Sequence, residues 1–136
     1  MIRNTLLTLA LGMSLGVQAQ KNVGAEFRSP FDFPLLLSAN FGELRPNHFH
    51  NGLDIKTQGV TGKPIHSVAD GYVSRIMVLH GGYGQAIFVT HPNGYTSVYG
   101  HVVSFAPKVQ EYVRAYQYEH ETFVCDLHPE PGLLPV

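Results

Sequence analysis

Between Ser38 and His101 the chain is a series of short runs rich in β-branched and aromatic residues, separated by glycine-containing turns. That punctuation predicts an all-β core built as an antiparallel sheet of four or five strands. Gly59-Val60-Thr61-Gly62 separates the run near Asp54 from Ile65-His66-Ser67-Val68-Ala69, and Asp70-Gly71 separates that run from Tyr72 to Leu79. Gly81-Gly82-Tyr83-Gly84 leads into Gln85 to His91, and Pro92-Asn93-Gly94 turns the chain back into Tyr95 to His101. The period then changes. Val109, Tyr112, Val113 and Tyr116 fall at i, i+3, i+4 and i+7, which predicts one amphipathic helix starting near Pro107, as scaffold or insertion. Phe123-Val124-Cys125 suits a short strand, and Pro129, Pro131 and Pro135 make the tail a loop.

A length of 136 residues suits one domain, and 44% apolar against 14% charged residues describes a chain that buries a core. The formal net charge of -1 provides no basic field for nucleic acid or anionic lipid. At the N-terminus, Arg3, the apolar run Leu6 to Val17 and the small-x-small triplet Val17-Gln18-Ala19 read as a signal peptide over 1–19, followed by a lead-in over 20–37. The run is too short to span a bilayer, and no cysteine near the cleavage site offers a lipid anchor, so an exported protein of the periplasm or cell envelope without a stable membrane anchor is expected. Cys125 is the single cysteine, which leaves stability to packing.

The candidate chemistry centres on His50-Asn51-Gly52-Leu53-Asp54, where an imidazole and a carboxylate, both good zinc donors, stand four residues apart. On a straight strand they would be about 13 Å apart, so a shared metal requires the backbone to bend, and Asn51-Gly52 is a turn dipeptide that tolerates the positive φ of a left-handed turn, which can fold the two toward one point. Further on, strand alternation sets Tyr95, Ser97, Tyr99 and His101 on one polar, aromatic face suited to solvent or a groove, with Thr96, Val98 and Gly100 opposite.

Six ordered motifs, Phe41-Gly42-Glu43-Leu44-Arg45, His50 to Ile55, Gly62-Lys63-Pro64-Ile65, Ala69 to Val73, Gly81 to Gly84 and Tyr99-Gly100-His101, together resemble the lysostaphin-like zinc endopeptidases over about Ser38 to Val103. The resemblance implies a metallopeptidase domain over 38–136, with Zn2+ as cofactor. It makes His50 and Asp54 metal ligands and His101 a catalytic histidine, and it leaves Tyr83, Tyr99 and Arg45 to contact substrate or orient a carboxylate. The implied substrate is a peptide stem or cross-bridge of peptidoglycan. The family's third ligand and a second histidine come from a His-x-His element, and no such element follows His101, since His48-Phe49-His50 overlaps the first motif. The domain is therefore expected to be incomplete, lacking closing strands, and inactive as it stands. The alternative is a non-catalytic module of the same fold that binds or activates other cell-wall hydrolases.

Overall fold

The computed structural model describes residues 27–136; the signal peptide expected over 1–19 and the first part of the lead-in lie outside the described residues. Six short strands and one helix follow in the order β1 (Leu37–Ala39), β2 (Asp54–Ile55), β3 (Tyr72–Val78), β4 (Gln85–Thr90), β5 (Thr96–Tyr99), α1 (Pro107–Glu119) and β6 (Cys125–Leu127). They form an antiparallel two-stranded ribbon, β1-β2, and an antiparallel four-stranded sheet in the order β5-β4-β3-β6. The fold is thus all-β with a single short helix, as the turn pattern predicts. No helix among the described residues is long and apolar enough to cross a membrane.

The β3–β4 pairing slips at Ser74: Val73 faces Val89, yet Arg75 faces Phe88, so one extra residue is accommodated in β3. Side chains alternate along a strand, and the inserted residue resets that alternation. Val73, Ile76 and Val78 consequently all point into one core, the first two with no exposed surface. Val109 and Val113 of α1, Phe105, Cys125, Leu127 and Leu134 complete that core, with Tyr112 and Tyr116 packed at its margin. The helical period is therefore an accurate signal, since the apolar stripe is the surface α1 lays on the sheet. Pro107 starts the helix, its missing N–H falling where no helical acceptor exists anyway.

β6 is held to β3 partly by charge. Arg75 Nε donates to Asp126 Oδ1 at 2.7 Å while Arg75 Nη2 donates to Asp126 Oδ2, a two-pronged pair across the strands. This hydrogen bonding holds the Asp126 carboxyl below its ordinary range and raises the guanidinium in turn. Burial, then the neighbouring Asp126 charge, pushes the Cys125 thiol up.

Two segments depart from the sequence reading. Ile65–Ala69, which reads as a strand-like run, is irregular. It lies antiparallel to the 28–30 segment, His66 N–H donating to Pro30 O and Arg28 N–H to Val68 O, but Pro30 has no N–H to return and Val68 N–H donates instead to the Tyr99 hydroxyl, so the ladder stays incomplete. The proline-rich tail is a loop, as expected, but it is docked. Leu134 is buried, Val73 N–H donates to Leu134 O, and Val136 exchanges two backbone hydrogen bonds with Gly71.

Candidate metal and catalytic site

A small hairpin-like loop delivers the first site residues. Gly42 N–H donates to His50 O, His50 N–H to Glu43 O, and Arg45 N–H to His48 O, with Leu44 and Phe49 bridged between them. This pairing places Glu43, Arg45 and His50 beside the start of β2, where Asp54 begins the strand opposite Ala39. His50 and Asp54 converge, with Nε2 3.2 Å from Oδ1. The bend between them does not use the left-handed region, because neither Asn51 nor Gly52 has positive φ. That part of the expectation is corrected: an irregular bend, ending where β2 begins, does the work assigned to a left-handed turn.

The hydrogen bonds around this pair fix its chemistry. His50 Nδ1 lies 3.0 Å from Asn40 O, and a carbonyl only accepts, so the ring proton sits on Nδ1 and Nε2 faces Asp54. Arg45 Nη2 donates to Asp54 Oδ2 at 2.8 Å, and Glu43 Oε2 lies 3.6 Å from the same nitrogen. One carboxylate oxygen is thereby turned to the arginine and the other to the imidazole. Arg45 Nε is buried without a hydrogen-bond partner among the described residues, so its guanidinium is fixed by the carboxylates alone.

These residues fit part of a zinc site. Two ligands held about 2.1 Å from one zinc ion at a tetrahedral angle stand about 3.4 Å apart, close to the separation found here. A ligand histidine also ordinarily donates its second ring N–H to a carbonyl, as His50 does to Asn40. Among the described residues no group of three or more His, Cys, Asp or Glu side chains is arranged to hold a metal. The site therefore offers two donors where a catalytic zinc ordinarily has three from protein.

His101 lies two residues beyond the end of β5 and leaves the strand alternation, at φ +56°. That conformation is uncommon outside glycine, and it is held by neighbours on both sides: His101 N–H donates to Tyr83 O at 2.9 Å and Val102 N–H to Gln85 O at 3.1 Å. The Tyr83 ring lies against Gly100, where a Cβ would stand 3.2 Å from Cδ1, and it meets Phe88 edge-on at 6.3 Å. Tyr83 thus acts as a platform under the His101 turn.

His101 and Tyr99 line a groove of about 540 Å³ whose other wall includes Gly62, Lys63, Ile65 and His66, and whose floor includes Ile87 and Val89. His50, Asp54, Arg45 and Tyr83 are not among its lining residues. On the face read as suited to solvent or a groove, Tyr95 and His101 are exposed, Ser97 and Tyr99 are half-buried, and Tyr99 and His101 line the groove, while Thr96 and Val98 on the opposite face are also exposed. The Tyr99 hydroxyl is engaged internally, bonded to Val68 N–H and to Ser97 Oγ, each at 2.9 Å. What the sequence reading missed is the role of His91, which it names only as the end of the run from Gln85. It is 3% exposed and hydrogen-bonded at both ring nitrogens. Its position at the end of an apolar strand run, just before a Pro-Asn-Gly turn, is the only sequence signal of burial.

The model of peptidase family M23 matches residues 48–118, more than half of the chain and the stretch that contains His50, Asp54 and His101. No curated protein and no solved structure matches the chain. Six ordered motifs, an antiparallel all-β fold, a converging His50–Asp54 pair and a family match spanning His50, Asp54 and His101 lead to one assignment: the chain belongs to peptidase family M23.

Proposed function

We propose that this protein is a zinc-dependent endopeptidase that hydrolyses peptide bonds in bacterial cell-wall peptidoglycan, acting outside the cytoplasm. Membership in a peptidase family supports hydrolysis of a peptide bond, and the resemblance of the motifs to lysostaphin-like enzymes supports peptidoglycan as the substrate. The observation that carries the metal reading is the 3.2 Å approach of His50 Nε2 to Asp54 Oδ1, with Nδ1 turned to the Asn40 carbonyl at 3.0 Å. That arrangement aims a nitrogen lone pair and a carboxylate oxygen at one another, which is favourable with a cation between them.

In this reading His50 and Asp54 are two of the zinc ligands, and Arg45 orients Asp54 so that a single oxygen faces the imidazole. Zinc bound there supplies Lewis acidity, polarising the scissile carbonyl and lowering the pKa of water. His101 moves a proton at the reacting centre or donates a hydrogen bond to the developing oxyanion. Tyr99 contributes a groove wall, its hydroxyl being already engaged, and Tyr83 supports the His101 turn. Two donors alone would hold zinc weakly, since a catalytic zinc ordinarily has three protein ligands, and a His-x-His element of the kind the family uses would complete the set.

The test compares the 136-residue chain with one extended through a His-x-His segment, by zinc titration and by release of peptides from purified peptidoglycan. Stoichiometric zinc and cleavage are expected in the extended chain, with both lost in His50→Ala and Asp54→Ala. Cleavage that survives either substitution removes the ligand assignment. An extended chain that binds peptidoglycan or another wall hydrolase but never cleaves leaves the non-catalytic module as the function.

A further inference from the structure

His91 is the one buried polar or charged residue of the described core. Its Nδ1 lies 2.9 Å from Asp70 O and its Nε2 lies 2.9 Å from Ser97 Oγ. Ser97 Oγ lies 2.9 Å from the Tyr99 hydroxyl, which in turn receives Val68 N–H at 2.9 Å. A carbonyl oxygen cannot donate, so the Nδ1 proton is directed at Asp70 O. In the neutral ring Nε2 then accepts, and the donor within reach is the Ser97 hydroxyl. With its only proton committed to His91, Ser97 accepts from the Tyr99 O–H, and the Tyr99 oxygen accepts from Val68. Every proton in the chain is used once and in one direction, from Val68 N–H through Tyr99 and Ser97 to His91 and on to Asp70 O.

The close approach that permits this depends on Gly71, since a Cβ there would stand 2.3 Å from Thr90 O and 3.1 Å from His91 Nδ1. Phe27 covers the imidazole from the other side, edge-on at 6.2 Å. Both ends of the chain grip one segment. Asp70 and Val68 belong to the irregular stretch that continues from the groove wall at Gly62–Ser67, and Tyr99 stands two residues before His101 on the opposite wall.

We propose that His91 is a positioning residue: as the link that accepts from Ser97 and donates to Asp70 O in this one-way hydrogen-bond chain, it orients the Tyr99 hydroxyl, clamps the 67–70 segment to β5, and so sets the spacing of the groove walls beside His101. The importance of this spacing to catalysis rests on the reading of His101 as the catalytic histidine, whereas the clamp itself does not. A hydroxyl without a directed acceptor rotates freely. With Nε2 accepting, the Ser97 and Tyr99 rotors are both fixed, so one buried ring sets the direction of two surface-proximal groups.

The test uses the 136-residue chain without added metal, so failure of the zinc reading leaves it intact. Nitrogen-15 NMR at neutral pH is expected to find His91 as the Nδ1–H tautomer with an unprotonated, hydrogen-bonded Nε2. An Nε2–H tautomer or a doubly protonated ring overturns the proposal on the wild-type protein alone. In hydrogen exchange, Ser97→Ala is expected to accelerate the Val68 amide about fivefold, the effect of losing one hydrogen bond, while Ser97→Thr, which keeps the hydroxyl, restores the wild-type rate. A Val68 rate unchanged in Ser97→Ala, or raised no more than the amides of β3 and β4, also overturns it.

Discussion

The substitution Gly71→Ala tests how tightly the start of β3 is packed against the end of β4. Gly71 does not have positive φ, so an alanine there meets no intrinsic backbone strain. The obstacle is steric. The added methyl would stand 2.3 Å from Thr90 O, a backbone atom paired within the sheet, and 3.1 Å from the buried His91 Nδ1. Neither neighbour is the free end of a flexible side chain, so the strands must separate. Overpacking of this kind costs about 1–3 kcal/mol. The Nδ1 hydrogen bond to Asp70 O and the paired bonds between Gly71 and Val136 are weakened with it, and losing one such bond adds about 1 kcal/mol. A total of about 2–4 kcal/mol is expected, a large part of the ~5–15 kcal/mol that stabilises an ordinary domain. Urea unfolding followed by circular dichroism measures it, with Gly81→Ala as control. Gly81 has open space around its Cβ position and no positive φ, so its substitution should change stability by less than about 0.5 kcal/mol. Equal stability of the two variants would refute the packing argument at Gly71.

Arg45→Ala, in the chain that binds zinc, should weaken zinc affinity about tenfold by releasing Asp54 Oδ2, as measured by competition with a chelating dye; unchanged affinity would show that Arg45 does not orient the ligand. Gly100→Ala should displace the Tyr83 ring, which its Cβ would approach to 3.2 Å, and a shifted Tyr83 ring resonance in the NMR spectrum reads this directly. Asp126 has its carboxyl pKa lowered chiefly by Arg75, so the stabilisation it contributes is complete above the unfolded-state value near 4 and is lost as pH falls through the folded-state value below it. Asp126→Asn should therefore reduce the acid sensitivity of unfolding below about pH 4, and only slightly because the pair is substantially exposed. Cys125, buried with a raised thiol pKa, should react with iodoacetamide at pH 7.5 at least about tenfold more slowly than free cysteine, and urea should abolish that protection.

Much of this protein is legible in local sequence because its signals are local. Glycine-containing turns divided the strands, and the apolar stripe of Val109, Tyr112, Val113 and Tyr116 defined a helix whose buried face is that stripe. The order and spacing of six short motifs pointed to the family, and the family match covers every candidate site residue except Arg45. Each of these is a property of neighbouring residues or of linear order.

Tertiary structure decided what depends on which distant groups meet. Whether Ile65–Ala69 forms a regular strand was settled by distant residues: Pro30 opposite it offers no N–H, and the Tyr99 hydroxyl takes the Val68 N–H, so its pairing with the 28–30 segment stays incomplete. The inserted residue at Ser74, which brings both Val73 and Ile76 into the core, follows from pairing with β4 and has no local marker. Tyr99 looked like a residue offered to a ligand because alternation assigns faces without saying which face is buried, and only the fold shows its hydroxyl tied to Val68 and Ser97. His50 and Asp54 were recognisable as donors from their chemistry. Their 3.2 Å approach, with one proton held by Asn40 and one oxygen by Arg45, needed a loop ten residues long to fold back on itself. Sequence names the groups available for chemistry, whereas hydrogen bonds between residues far apart in the chain determine which lone pairs remain free.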